Sequence, residues 1–295
     1  MKAAIVRCFL RTMTVLAAAP LLAGCDLWTA PILDPKGPIA QAERDLLFDA
    51  FGVMLIVVIP VIILAFLFVW RYRASNTGAR YTPDWSYSAK IDAVIWLVPA
   101  LIIVALGTLL WSSTHKLDPY KALASENAPL EVEVVAQDWK WLFIYPKQKI
   151  ATVNELVFPS GTPLSLKITS DTVMNSFFIP ALGGQIYAMA GMQSRLHLLA
   201  DAPGRFAGRN TQYSGTGFSR QHFEAVAATR ADFDAWVEKV RQSPKTLDAA
   251  SYRALAEPSI EHPVTHYSQV EAGLFGTILE KYCKSDCRPG DTPGK

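Results

Sequence analysis

The sequence predicts a two-helix transmembrane hairpin followed by an all-β sandwich with a C-terminal helical extension. Three observations carry this prediction: two long charge-free runs, a middle stretch of short alternating segments broken by turn residues, and one apolar stripe at helical spacing behind it. Composition agrees, since 51% of the 295 residues are apolar and only 18% are charged, against about 25% charged in ordinary soluble chains. With 28 Lys and Arg against 26 Asp and Glu, the net charge of +2 leaves no excess directed at nucleic acid or an acidic partner.

The N-terminus comes first. Lys2, Arg7 and Arg11 form a basic start, and Val15 to Leu22 continue an apolar stretch too short to cross a bilayer. It ends in Leu22-Ala23-Gly24-Cys25, small residues before a cysteine that resemble a bacterial lipobox. Residues 1–24 are therefore expected to be a signal peptide, cut so that Cys25 becomes a diacylated N-terminus carrying chains such as palmitate. The alternative is an uncleaved anchor that ends in a chance cysteine. Asp26 resembles the signal that keeps some bacterial lipoproteins in the inner membrane. Acyl chains anchor only moderately, so the two spans dominate retention.

Residues 25–115 hold those spans. Phe51 to Trp70 is a run of 20 residues without a charge and Ala93 to Trp111 another of 19, each near the ~20 that a helix needs to cross hydrocarbon. Transmembrane helices are expected at about 49–70 and 92–112. Pro60 and Pro99 lie inside them, which membrane helices tolerate, and Trp70, Tyr72, Trp85, Tyr87 and Trp111 sit where interfacial aromatics belong. The connection carries Arg71, Arg73, Arg80 and Lys90 against the single acid Asp84, so the positive-inside rule makes it cytoplasmic and both termini periplasmic. Asp92, at the cytoplasmic edge of the second span, has two readings. It is a functional ionisable group, or a carboxylate that snorkels at a helix start where the dipole favours it.

The exported domain is expected over residues 125–228. Leu130, Val132 and Val134 alternate with Glu131 and Glu133, and Leu164, Leu166 and Ile168 with Ser165, Lys167 and Thr169, the period of half-buried strands. Turn signals at Pro159 to Pro163, Gly183-Gly184, Ala202 to Gly204 and Ser214 to Gly217 space the strands as in a sandwich or barrel. In the extension, residues 229–295, Phe233, Trp236, Val237 and Val240 form a helical stripe behind the capping pair Thr229 and Asp232. That stripe should pack on the sandwich or on a partner. The polar tail from Asp286 to Lys295 closes the chain.

Several ordered segments carry a family resemblance. Gln137 to Pro146 (QDWKWLFIYP), Ala151 to Glu155 (ATVNE), Val173 to Pro180 (VMNSFFIP), Gln185 to Met192 (QIYAMAGM) and Tyr213 to Ser219 (YSGTGFS) resemble subunit II of the haem-copper ubiquinol oxidases, the cytochrome bo type. The match runs from the signal peptide to about Lys281. It implies that the exported domain is a cupredoxin-like Greek-key sandwich.

The resemblance also raises the question of copper. The cytochrome c oxidase branch of the family holds a binuclear copper centre on one His and a later Cys-x3-Cys-x3-His-x2-Met run, whose bridging thiolates suit soft copper. Those positions fall at Asn175, Ser214, Phe218, His222 and Ala225, so only His222 retains a ligand. A Ser hydroxyl is un-ionised at neutral pH and Phe has no donor atom; the resemblance therefore implies no metal in this chain. Trp139, where copper-bearing relatives place the aromatic at their electron-entry surface, is left with core or interface packing, as is Trp141. His197, in an alternating segment, reads as structural. His262 and His266 are four apart, but Pro263 between them argues against a helix-face metal pair. With Cys8 removed and Cys25 lipidated, Cys283 and Cys287 are expected as a disulfide or as two uncommitted thiols, ahead of transient metal binding.

The function implied is that of a non-catalytic subunit II in a proton-pumping ubiquinol oxidase that reduces dioxygen to water. Haem groups, copper and ubiquinol are expected in subunit I, with smaller subunits III and IV and membrane lipid as further partners. Asp92 matches the position where related quinol oxidases place a subunit II carboxylate at the mouth of a proton channel. It departs from the glutamate expected there by one methylene of reach. The rival readings are a copper-bearing cytochrome c oxidase subunit II and a membrane-tethered structural or binding lipoprotein outside any oxidase. Missing thiolates count against the first and the ordered segments against the second.

Overall fold

The computed structural model describes residues 30–80, 82–125 and 127–282. The expected signal peptide (residues 1–24) and Cys8, Cys25, Cys283 and Cys287 lie outside the described residues.

Helix α1 (Pro38–Arg71) and helix α2 (Ala89–Lys116) form the hairpin and extend beyond the two apolar runs. At 34 and 28 residues they reach about 51 and 42 Å at 1.5 Å per residue, more than the ~30 Å of hydrocarbon. The excess lies largely before Phe51 and after Trp111. Pro38 starts α1 where its missing N–H costs nothing. Both helices are apolar all round, with Phe66, Val69 and Trp96 each 74% exposed, so lipid or another chain must cover them. Thr108 resolves its own hydroxyl by donating to the Val104 carbonyl at 2.8 Å, as a group inside a bilayer must.

The outer ends of the hairpin meet the sandwich. Lys36 N–H donates to the Ala181 carbonyl (2.8 Å), Asp201 N–H to the Lys36 carbonyl (3.0 Å) and Ala40 N–H to the Leu182 carbonyl (3.2 Å). Gly37 makes this approach: a Cβ there would lie 2.0 Å from the Leu199 carbonyl oxygen. The basic connection 72–88 is consequently at the end of the hairpin away from the sandwich.

Ten strands build the sandwich proper: β1 (Leu130–Gln137), β2 (Lys140–Tyr145), β3 (Ile150–Val153), β4 (Glu155–Pro159), β5 (Leu164–Ser170), β6 (Asn175–Phe178), β7 (Ile186–Ala188), β8 (Ser194–Leu198), β9 (Gly204–Asn210) and β10 (His222–Ala228). The chain changes sheets as a Greek key requires. It leaves the first sheet after β3, supplies the edge strand β4 of the second, and returns as β5 parallel to β1, with Val132 opposite Leu166. In the second sheet the order is β4-β10-β9-β6-β7, with β10 parallel to β4. Trp141, Phe143, Phe177 and Phe223 meet edge-on or stacked between the sheets, with centroids 5.0–6.4 Å apart, the separations at which aromatic quadrupoles attract.

The strands are more buried than their alternation predicts. β1 begins with buried and half-buried residues in turn, but Val134, Val135, Ala136 and Gln137 are all buried. The second cover comes from the extension: helix α3 (Arg230–Arg241), strand β11 (Thr246–Leu247), helix α4 (Ala249–Ala256), strands β12 (Thr265–Tyr267) and β13 (Gln269–Val270), and helix α5 (Leu274–Glu280). Val135, Leu142 and Ile144 point away from the sandwich core and pack under Leu247, Tyr252, Leu255, Phe275 and Ile278.

The extension contains short strands as well as helices, and it packs directly against the sandwich. β12 pairs antiparallel with β3, His266 opposite Thr152, and completes a six-stranded sheet in the order β12-β3-β2-β1-β5-β8. The backbone of β3 would otherwise present an unpaired edge. Helix α3 starts as its sequence predicts, Thr229 Oγ1 accepting from Asp232 N–H at 3.2 Å. Its stripe, Phe233, Trp236, Val237 and Val240, packs on the sandwich core.

Candidate functional site

The five copper-loop positions do not converge as a ligand set. Asn175 opens β6 and is fully buried. Its partner is Asn210, at the end of β9, whose Nδ2 lies 2.7 Å from Asn175 Oδ1, 2.8 Å from Gln221 Oε1 and 3.1 Å from Ser214 Oγ. Ser214 Oγ in turn donates to Gln221 Oε1 at 3.0 Å. Asn210 Oδ1 accepts from the backbone N–H groups of Ser176 (2.8 Å) and Gln212 (3.0 Å), and Asn175 Nδ2 donates to the Val173 carbonyl at 2.8 Å. The amide of Gln221 reaches the Gln137 carbonyl at 3.3 Å, tying the network to the first sheet. Donors thus meet acceptors in a neutral, closed set, the arrangement that makes buried polar groups tolerable.

The other three positions point elsewhere. His222 and Ala225 are three residues apart on one strand, so their side chains leave opposite faces. Ala225 is fully buried in the core while His222 is exposed. His222 lines an open groove of about 500 Å³ together with Arg205, Arg220 and His262. Phe218, on a short 3₁₀ turn, meets the Tyr213 ring at 5.7 Å. Three carboxamides, a hydroxyl and a distant imidazole offer no thiolate and only one borderline ligand. That donor set does not fit a binuclear copper centre.

Trp139 organises the loop that would have carried thiolates. Its backbone sits in the left-handed region at φ 65°, which for a bulky residue costs about 1–2 kcal/mol. The indole offsets this by lying on Gly215 and Gly217 and donating from Nε1 to the Ser214 carbonyl at 3.1 Å. A Cβ on Gly217 would sit 2.3 Å from the indole Cδ2, so the loop must be bare here. Trp141 is fully buried in the core. His197 bridges, with Nε2 3.3 Å from Ser165 Oγ and Nδ1 3.1 Å from the Pro119 carbonyl just past α2. His266 lies on β12 with Nε2 2.8 Å from Glu155 Oε2, which also accepts from Trp236 Nε1 at 3.1 Å. Among the described residues, no three His, Cys, Asp or Glu side chains are arranged to hold a metal. Asp92 is exposed in the first turn of α2.

Three polar groups escape a sequence reading. Lys140 is fully buried, its ammonium donating to the Glu257 carbonyl (2.8 Å), Ser259 Oγ (2.8 Å) and the Asp138 carbonyl (3.3 Å). Burial lowers its pKa, against the pull of the Asp138 and Glu257 charges. The Asp171 side chain, 2% exposed, accepts from Tyr252 Oη at 2.6 Å and Lys281 Nζ at 2.8 Å. That bond raises the Lys281 pKa. Asn210 and Gln221 complete the network; their signal was their place within the copper-loop run, one at a strand end and one directly before His222.

Known proteins place this chain. Residues 146–225 match the periplasmic domain of cytochrome c oxidase subunit II, and residues 241–285 match the COX aromatic-rich motif. The second match covers much of the extension, including Tyr252, Tyr267, Phe275 and Tyr282. The chain is 56% identical to cytochrome bo(3) ubiquinol oxidase subunit 2 of Pseudomonas putida over 89% of this chain and 82% of that one. It is 53% identical to the same subunit of Pseudomonas aeruginosa over 90% and 80%. It is 54% identical to ubiquinol oxidase subunit 2 of Acetobacter aceti over 90% and 86%. Identity of this extent over nearly the whole of both chains, with a membrane hairpin, a sheet domain and an aromatic-rich extension in that order, shows that the chain belongs to the subunit II family of the bo-type ubiquinol oxidases.

Proposed function

We propose that the chain is the non-catalytic subunit II of a proton-pumping ubiquinol oxidase in the bacterial inner membrane, which oxidises quinol and reduces dioxygen to water without a copper relay in this subunit. The observation that carries the reading is the carboxamide network at the copper-loop positions, which binds Asn175 and Ser214 to Asn210 and Gln221 and leaves no thiolate. A relay there would serve a soluble electron donor. Quinol dissolved in the bilayer can instead deliver electrons directly to subunit I, the expected holder of the haems, copper and quinol. Subunits III and IV complete the assembly in this reading. Both termini face the periplasm, supported by the four cations of the connection, and diacylation at Cys25 supplements the hairpin.

Within that assembly Asp92 is proposed to serve proton entry on the cytoplasmic side. Its support is its place at the start of α2, at the end of the hairpin opposite the sandwich. The experiment is a pull-down of the subunit from mild-detergent membranes, followed by oxygen consumption with reduced quinol and, separately, with reduced cytochrome c. Haem in the eluate with quinol-only turnover is the expected result. Turnover with cytochrome c would overturn the copper-free reading, and an eluate without haem would overturn the oxidase reading. Asp92→Asn should slow proton-linked turnover with haem content unchanged; equal turnover removes Asp92 from the mechanism.

A further inference from the structure

A cavity of about 280 Å³ lies where the outer ends of α1 and α2 meet the sandwich, just below the usual size of a small-molecule site. Ile39 and Glu43 of α1, Lys116 at the end of α2, Lys121 beyond it, and Leu196 and Gln185 of the sandwich line it. The Glu43 carboxylate is half-buried and accepts the backbone N–H of Gly184, and burial raises its pKa above the ordinary glutamate value. Gly184 permits that approach, since a Cβ there would stand 2.8 Å from Glu43 Oε1.

Charges of both signs meet at this cavity without neutralising one another. Among the described residues, no ion pair engages Glu43, Lys116 or Lys121, although neighbouring charges do pair, Arg44 with Asp45 and Lys36 with Asp34. A half-buried carboxylate without a cation is a costly arrangement that a ligand ammonium would relieve. Height above the hydrocarbon orders the charges. Lys116 follows Trp111 by five residues and Glu43 precedes Phe51 by eight, so they stand about 8 and 12 Å beyond the apolar runs along their helices at 1.5 Å per residue. Glu43 above, and below it the two lysines Lys116 and Lys121 against the single Asp118, is the complement of a phosphoethanolamine group, whose phosphate is joined to the glycerol and whose ammonium lies outermost.

We propose that this cavity binds the head group of one aminophospholipid, with its phosphate on Lys116 and Lys121, its ammonium on Glu43, and its acyl chains descending along the helix pair. The apolar contacts of Ile39 and Leu196 cover the ethanolamine carbons. Such a lipid would clamp the sandwich to the hairpin at the junction held by the Lys36 and Ala40 backbone bonds. The proposal rests on the hairpin crossing the bilayer and goes beyond the oxidase reading.

The test uses the purified oxidase complex, delipidated in mild detergent and titrated with equal amounts of dioleoyl phosphatidylethanolamine and dioleoyl phosphatidylglycerol, with bound lipid counted by native mass spectrometry. Wild type should retain one more phosphatidylethanolamine than Glu43→Gln, whose amide still accepts from Gly184. The variant's affinity for that lipid should fall about tenfold, the worth of one charge-assisted hydrogen bond. Lys116→Gln combined with Lys121→Gln should weaken both lipids, and Glu43→Lys should shift preference to phosphatidylglycerol. Equal phosphatidylethanolamine counts in wild type and Glu43→Gln would overturn the proposal. Displacement of the lipid by an equal concentration of glycerophosphoethanolamine would overturn the lipid assignment in favour of a soluble phosphoamine. Haem content of the same sample tests the oxidase reading separately.

Discussion

The six-stranded sheet has two covered faces built on different principles. Its inner face meets the second sheet chiefly through aromatic and aliphatic side chains, Trp141, Phe143, Leu164 and Leu166 all fully buried, with the Tyr145 hydroxyl bonded to the Val157 backbone as a polar crossing. Its outer face is closed by the extension, which brings apolar residues but is fastened by ionic and polar clamps, Lys140 to Glu257 and Ser259, and Asp171 to Lys281 and Tyr252. The inner contact is largely non-directional and defined by volume, whereas the outer one is directional and fixes where the extension lies. A buried ion adds little net stability and much penalty when its partner is lost. The part of the extension beyond α3 should therefore detach as a unit while the sandwich survives.

Breaking the inner face should cost most. Trp141→Ala leaves a large cavity among Phe143, Phe177 and Phe223, an expected loss of about 3–5 kcal/mol, read as a lower urea midpoint for the whole subunit. Lys140→Ala should cost about 2–3 kcal/mol, since the Glu257 carbonyl and Ser259 hydroxyl lose their donor. Its signature differs from that of Trp141→Ala. Limited proteolysis should cut within residues 242–264 while the sandwich fragment stays resistant, and uniform digestion would show that the two faces are not separable.

A smaller effect tests the loop that holds Trp139. Gly217→Ala forces a methyl into the Trp139 indole, and overpacking of this kind costs about 1–3 kcal/mol. Because Trp139 is strained and its indole rests on that loop, its fluorescence should shift towards the exposed form. An unchanged spectrum would mean that the glycines do not position the ring.

These two faces also separate what was legible in the sequence from what was not. The inner face was legible because period-two alternation at Leu130 to Val134 and Leu164 to Thr169 reports one buried face. The cap at Thr229 and the stripe at Phe233 to Val240 were legible as local chemistry. The outer face was not, because its cover comes from residues more than a hundred positions away. Val135, Leu142 and Ile144 look like interruptions of alternation until the extension is in place. The site divides in the same way. Thiolate loss is visible from residue identity, but the closure of Asn175 and Ser214 onto Asn210 and Gln221 depends on three loops meeting, and Lys140 reads as an ordinary surface lysine until Glu257 arrives.

The smallest effect is a pH dependence confined to the outer face. His262 lies in the segment that Lys140 fastens, its carbonyl accepting from Asn154 Nδ2 at 2.7 Å. Burial, then the charges of Lys140 and Lys245, hold its pKa below the usual 6.5. Between the lowered folded value and about 6.5 the unfolded chain binds more protons than the folded one, so stability rises with pH across that window. As pH falls through it, the extension should loosen, and below the folded value the effect should level off because both states are protonated. His262→Gln keeps the backbone bond to Asn154 and removes the titration. Its protease sensitivity within residues 242–264 should lose the part of the pH response that lies just below 6.5, while the inner face keeps the same urea midpoint change as wild type. If the variant and wild type open with the same pH profile, the lever lies elsewhere on the outer face, and the directional fastening at Lys140 acts independently of its histidine neighbour.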